Sequence, residues 1–224
     1  MQHRCLVTGG AGFLGASLVK KLLKKGYLVR VLDNESRGRK SRLSNDLNNI
    51  ELVIGDIRDP KVVEQAAEGC QSIVHMAFVN GTEFFYSKPE LVLEVGVKGM
   101  INVLDACRSQ QIGDLILISS SEVYQEPPTI PTPEDVPLII PDIHNPRYSY
   151  GGGKIISELL ALNYGRKDFE RIVIIRPHNV FGPDMGWEHV IPQFILRAHD
   201  SIQEQPNGPI NFPIQGKGTE TRSF

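Results

Sequence analysis

Tyr150 and Lys154 stand four residues apart, so a helix through them turns both side chains to one side. A phenol has a reference pKa of roughly 10 and is protonated near neutrality. An ammonium beside it favours the phenolate and makes it a usable base. Tyr148 lacks this partner, because the residue four positions on is Gly152. Between the pair lie Gly151, Gly152 and Gly153, and each glycine inside a helix costs about 1 kcal/mol against alanine. That cost implies a close approach to the backbone, for which a cofactor ring or ribose on that face supplies a reason. Ser119, Ser120, Ser121 and Glu122 follow an apolar run. A serine hydroxyl there is placed to hydrogen-bond the oxygen that Tyr150 deprotonates, and Glu122 reads as a second acid/base or as a cap.

A second group sits at the beginning of the chain. Arg4-Cys5-Leu6-Val7-Thr8 has strand character, and Gly9, Gly12 and Gly15 lead from it into a helical pattern bearing Leu14, Leu18 and Leu22 on one face. A strand turning into a helix through glycines leaves backbone N–H groups and the positive helix end to hold a pyrophosphate. Leu28-Val29-Arg30-Val31-Leu32 then ends in Asp33, whose carboxylate suits a ribose with both hydroxyls free. The expected ligand is a dinucleotide, NAD rather than NADP.

The elements that must position these groups alternate along the chain. Further strands are expected at Glu51–Ile54, Ser72–Met76, Leu115–Ser119 and Arg171–Arg176, with helices starting at Pro60, running from Pro89 to Arg108, and running from Tyr148 to Tyr164. Asp59-Pro60 has the pattern of an N-cap followed by proline at the first helical position. Residues 34–49 read as loop with some helix, and the proline-rich stretch 125–147 as a surface excursion. Such alternation gives an α/β fold with a doubly wound parallel sheet in the order 3-2-1-4-5-6. The loops opening at Gly9, Asp33, Asp56, Met76, Ser119 and Pro177 then converge on one crevice. His75 reads as a packed core residue, and His178 and His189 as loop or sugar-site residues. The aromatic loop 80–86 reads as a cover for the crevice or as its own anchor.

The chain has 224 residues, 24 of them basic and 26 acidic, with a net charge of -2. Neither a nucleic acid nor a membrane is expected as partner. No leader is expected before the first strand, and Cys5, Cys70 and Cys107 lie far apart in apolar surroundings. Buried free thiols, no metal and a cytoplasmic location are expected.

These motifs together resemble the extended short-chain dehydrogenase/reductase family, in its NAD-dependent epimerase/dehydratase group acting on nucleotide sugars. The resemblance rests on TGGAGFLG at 8–15, LDN at 32–34, GDIRD at 55–59, HMA at 75–77, SSSEVY at 119–124, YGGGK at 150–154 and RPHNVFGP at 176–183. It implies a Rossmann domain over 1–177 and, over 178–224, part of a small, truncated C-terminal substrate lobe, since relatives continue beyond the Gly-x-Gly…Arg-x-Phe segment. For the cofactor it implies Gly9, Gly12, Phe13, Leu14, Gly15, Asp33, Asn34, Asp56, Ile57, Ala77, Tyr150, Lys154 and Pro177. For catalysis it implies Ser120, Tyr150 and Lys154, with Glu122 beside them, and for substrate Ser121, Asn179 and Arg222. The implied chemistry is oxidation at the sugar C4 to a 4-keto intermediate, followed by epimerisation, decarboxylation or dehydration, in a homodimer. Ser121-Glu122 lacks the aspartate of the 4,6-dehydratases and is similar to UDP-glucuronate decarboxylases, whereas Asp184-Met185-Gly186-Trp187 departs from them. Epimerase-type chemistry ranks first and decarboxylation close behind. Val95-Gly96-Val97 stands where many relatives carry an asparagine. A non-catalytic relative using NAD as a sensing ligand is the reading from another class.

Overall fold

Among the described residues, six runs rich in leucine, isoleucine and valine form the strands β1 (Arg4–Thr8), β2 (Leu28–Asp33), β3 (Ile50–Ile54), β4 (Ser72–His75), β5 (Asp114–Ile118) and β6 (Arg171–Ile175). The computed structural model describes residues 2–164, 166–187 and 189–214. All strand pairs are parallel, in the order β3-β2-β1-β4-β5-β6. The order changes direction between β1 and β4, where Thr8 lies level with Leu32 on one side and His75 on the other. Alternate residues of each strand enter opposite cores. Leu6, Leu32, Ile73, Leu115 and Leu117 pack on one face, and Cys5, Val7, Val29, Val31 and Val74 on the other.

The helices are α1 (Phe13–Lys24), α2 (Pro60–Ala67), α3 (Thr82–Ser87), α4 (Pro89–Leu93), α5 (Gly99–Ser109), α6 (Tyr148–Asn163) and α7 (Val190–Glu204). Asp59 caps α2 as its sequence requires, accepting from the N–H of Lys61 at 2.9 Å and of Val62 at 3.4 Å. Such a cap contributes about 1 kcal/mol. On α1 the residues buried against the sheet are Gly15, Ala16 and Val19, while Leu18 and Leu22 flank that contact. The leucine stripe is therefore not the centre of the contact, because small residues let α1 press closer.

The expected helix from Pro89 to Arg108 is continuous, with one change of winding inside it. α4 and α5 are joined by a wider π-helical turn, Glu94–Lys98, with Gly96 inside it. The aromatic loop holds a short helix, α3, that its sequence had not announced.

Two compact units divide the chain, Met1–Pro177 and His178 onward. The second contains α7, where Arg197 stacks on Phe212 at 4.8 Å. All three cysteine thiols are free and buried in the first unit. Burial raises the pKa of Cys5, and pushes those of Cys70 and Cys107 up to about 11 and about 12. Among the described residues no helix is long and apolar enough to cross a membrane.

Candidate active site at the carboxyl end of the sheet

The turn from β1 to α1 is built on close backbone contacts. Gly9 has φ +72°, and a Cβ there would meet the backbone nitrogen of Ala77 at 2.8 Å. A Cβ on Gly15 would run into the Gly9 carbonyl. Gly12 at the N-cap brings no side chain to the first turn of α1, and that turn, which begins Phe13-Leu14, has no acidic residue. Its N–H groups and dipole thus make an anion cradle.

Asp33 closes this turn from the end of β2. Its buried carboxylate accepts from the N–H of Ala11 at 2.9 Å and of Glu35 at 2.8 Å, and burial raises its pKa above the usual carboxylate value. Each oxygen keeps a further lone pair for a hydroxyl. Next in the sheet, Asp56 accepts from both arms of Arg58 and from the Asn34 amide at 3.1 Å. The Arg58 hydrogen bonds bring its pKa down to about 2. Ile57 is buried, and its carbonyl accepts from Asn102 at 2.8 Å.

Between the turn and β4, His75 shares a 2.8 Å hydrogen bond with the Thr8 hydroxyl, whose oxygen also accepts from the N–H of Met76 and Ala77. With both N–H groups on that oxygen, the hydroxyl proton goes to Nδ1 and the ring proton to Nε2. Burial takes His75 down to about 3, so it is the neutral core residue its sequence context indicated.

α6 carries Tyr150 and Lys154 one turn apart, 8% and 4% exposed. The Ser120 side chain lies beside the Tyr150 hydroxyl and favours its ionised form, a smaller effect than burial. Lys154 Nζ donates to the Ile118 carbonyl at 2.7 Å and lies 4.0 Å from the centre of the Phe78 ring. Two aromatic rings clamp the phenol, Phe85 stacked on it and Phe78 edge-on, both at 5.1 Å. Burial dominates the electrostatics. It pushes Tyr150 up to about 12 and Lys154 down to about 7. Tyr150 and Lys154 share one side of α6, as their four-residue spacing requires, and the phenol shifts upward because desolvation dominates and the Glu122 charge adds to it.

Ser120 also accepts from the Glu122 N–H at 3.2 Å, capping the 3-10 turn Ser121–Val123. The cap is thus Ser120, while Glu122 pairs with Arg147 at 3.7 Å. Ser121 donates its N–H to the Pro177 carbonyl at 2.9 Å, which fastens the chain after β6 to this turn. The three glycines of α6 meet protein atoms. Gly151 faces Gln125 and the Glu122 carbonyl, Gly152 faces Ile140, and Gly153 faces the Phe78 ring. Their close approach serves the loops around the site, and no cofactor is needed to explain it.

His178, Asn179 and His189 belong to the second unit, and Arg222 lies outside the described residues. Among the described residues no group of three or more His, Cys, Asp or Glu could hold a metal ion. The sequence reading missed Phe78 and Glu158 and gave Arg176 no role of its own, while Phe85, of the aromatic loop read as a cover or an anchor, stacks on Tyr150. Only the position of Glu158, one turn beyond Lys154, offered a signal.

Residues 5–224 match the model of the NAD dependent epimerase/dehydratase family. UDP-glucuronic acid decarboxylase 1 of Xenopus tropicalis is 31% identical over 228 residues, covering 100% of this chain and 50% of its own length. A solved UDP-galactose 4-epimerase is 31% identical with a TM-score of 0.77, over 91% of this chain and 64% of that one. The dTDP-glucose 4,6-dehydratase DesIV of Streptomyces venezuelae, solved with NAD and TYD bound, is 30% identical with a TM-score of 0.76, over 88% and 62%. The chain spans about half the length of several curated relatives that it matches.

Proposed function

The chain belongs to the NAD-dependent epimerase/dehydratase family, and on that premise we propose that it is an enzyme that binds NAD and modifies a nucleotide sugar through a 4-keto intermediate, with epimerisation at C4 as the outcome. The observation that carries this reading is the meeting of Ser120, Tyr150 and Lys154 at the carboxyl end of β5. The residues present fit the cofactor. The Gly9-to-Gly15 turn, with the backbone of Phe13 and Leu14, takes the pyrophosphate. Asp33 and Asn34 take the adenosine ribose, and Asp56 and Ile57 the adenine. Ala77, Pro177 and Lys154 take the nicotinamide half. NAD, when bound, supplies the acceptor for the hydride from the sugar C4 and the donor that returns it.

The remaining steps belong to the chain. Tyr150 receives the proton of the C4 hydroxyl on its phenolic oxygen, while Ser120 hydrogen-bonds the same reacting oxygen. For this the phenol must lose its own proton near neutrality, against a pKa raised to about 12. The Lys154 ammonium, 5.8 Å from the centre of the Tyr150 ring, stabilises the phenolate. Tyr150 would give the proton back to the C4 oxygen when the 4-keto sugar is reduced on its opposite face, which completes the 4-epimer. Decarboxylation is the second reading, supported by Ser121-Glu122 in the turn beside Ser120 and by the decarboxylase relatives. In both readings Ser121 contacts the substrate.

Incubation with NAD and a panel of UDP-, dTDP- and GDP-sugars, UDP-glucuronate included, followed by product mass, tests this. An unchanged mass with a new sugar isomer supports epimerisation, loss of carbon dioxide supports decarboxylation, and a chain that binds no NAD removes both. The exposed Leu93, Leu159 and Leu162 on α4 and α6 support a homodimer, checked by sedimentation equilibrium. The buried thiols support a reducing, cytoplasmic setting.

A further inference from the structure

Tyr150, Lys154 and Glu158 recur every fourth residue along α6, all three buried, and they meet three consecutive residues at the end of β5. Tyr150 has Ser120 beside its hydroxyl, Lys154 donates to the Ile118 carbonyl, and the Ser119 hydroxyl donates to Glu158. The first two rungs carry the proposed chemistry. The third has no part in it, although Glu158 is only 3% exposed. Its carboxylate also accepts from Arg176, from Nε at 3.0 Å and from Nη2 at 2.7 Å. Arg176 in turn donates to the Tyr124 hydroxyl at 2.9 Å and the Glu134 carbonyl at 3.0 Å.

On the reading of Tyr150 and Lys154 given above, we infer that Glu158 is a positioning residue of the active site. Its buried negative charge, one helical turn behind Lys154, keeps the ammonium charged, and its bond to Ser119 fixes the strand end that presents Ser120 and the Ile118 carbonyl.

A buried ammonium is disfavoured by desolvation, and a carboxylate on the same buried face opposes that cost. The other groups around Lys154 do not supply a negative charge as well buried. From β4 comes His75, which is neutral, and from the following loop the face of Phe78. On its own helix lies Tyr150, neutral below about 12. From the turn after β5 come Tyr124 and Glu122, and Glu122 is paired with Arg147. After β6 comes Arg176, the one competitor, since it holds the Glu158 carboxylate in both arms. The Arg176 side chain is 20% exposed, against 4% for that of Glu158, so water screens the guanidinium more than the carboxylate. A mere tie between α6 and β6 would show the same hydrogen bonds, and the titration of Lys154 separates the two.

The whole chain is labelled with ¹³C-lysine, and the Lys154 Cε resonance is assigned by its loss in Lys154→Met. Its midpoint is followed in the wild type and in Glu158→Gln, alongside NAD affinity at each pH. The expected midpoint in Glu158→Gln is lower by about one pH unit, and the pH at which NAD affinity falls moves down with it. Glu158→Asp keeps the charge but withdraws it. It shifts the midpoint the same way by less, and serves where the glutamine variant does not fold. An unchanged midpoint in a folded variant overturns the inference and leaves Glu158 as a structural tie. A lowered midpoint combined with NAD affinity indifferent to Lys154→Met supports Glu158 as the counter-charge, and removes Lys154 as a cofactor ligand instead.

Discussion

Two aromatic rings on Tyr150 give the phenol a fixed direction at the cost of a raised pKa, so its activity depends on charge brought to it. Tyr150→Phe keeps the rings packed and removes only the oxygen. Turnover of whichever sugar proves to be substrate is expected to fall by about 10²–10⁴ while NAD affinity stays within about twofold, read by steady-state assay and titration. Asp33→Ala should do the reverse of this at the binding step. Loss of a charged acceptor weakens NAD by roughly tenfold or more, measured by calorimetry. His75 contributes to acid stability. Its folded pKa of about 3 lies below the unfolded value of 6.5, so the unfolded chain binds more protons between those pH values. Stability therefore falls as pH drops through that window, by at most ~1.4 kcal/mol per pH unit from this group, and His75→Gln should flatten that limb of the denaturation profile.

Among the elements, the π-helical turn has the most specific dependence on its surroundings. A Cβ on Gly96 would lie 2.5 Å from the Phe78 ring, which already sits between Gly153, Lys154 and Tyr150. Gly96→Ala is expected to destabilise by about 1–3 kcal/mol through overpacking, and Phe78→Leu in the same chain should recover part of the loss. Paired denaturant curves would show it. This turn also marks where sequence reading stops. Strands such as Leu115–Ile118 were legible because uninterrupted apolar runs suit a sheet buried on both faces. The α2 start was legible because Asp59-Pro60 acts locally. No local pattern announces the wide turn around Gly96, where a ring from the loop after β4 packs against the backbone. The same holds at the site. The spacing of Tyr150 and Lys154 is helical arithmetic, whereas Phe85 on Tyr150 and Arg176 on Glu158 are contacts across 65 and 18 residues of sequence. Glu158 itself reads as one more polar helix residue until Ser119 and Arg176 are seen against it.

For the molecule as a whole, the glycine turn, Asp33, Asp56 and the α6 pair all lie within the unit Met1–Pro177. Ligand linkage then predicts a plain measurement. At NAD concentrations about 100-fold above Kd, the native state gains about 2.7 kcal/mol. For a chain of this size that raises the thermal midpoint by roughly 5–10 °C. NADP at equal concentration should do much less, since its 2′-phosphate meets the Asp33 carboxylate. The cysteine arrangement has a practical corollary for such work. With Cys5, Cys70 and Cys107 all shut inside and held as thiols at neutral pH, maleimide dyes and spin labels find no native anchor on the folded chain. One cysteine introduced on an exposed helix position would then be the sole point of attachment, ready for distance spectroscopy without stripping the wild-type background.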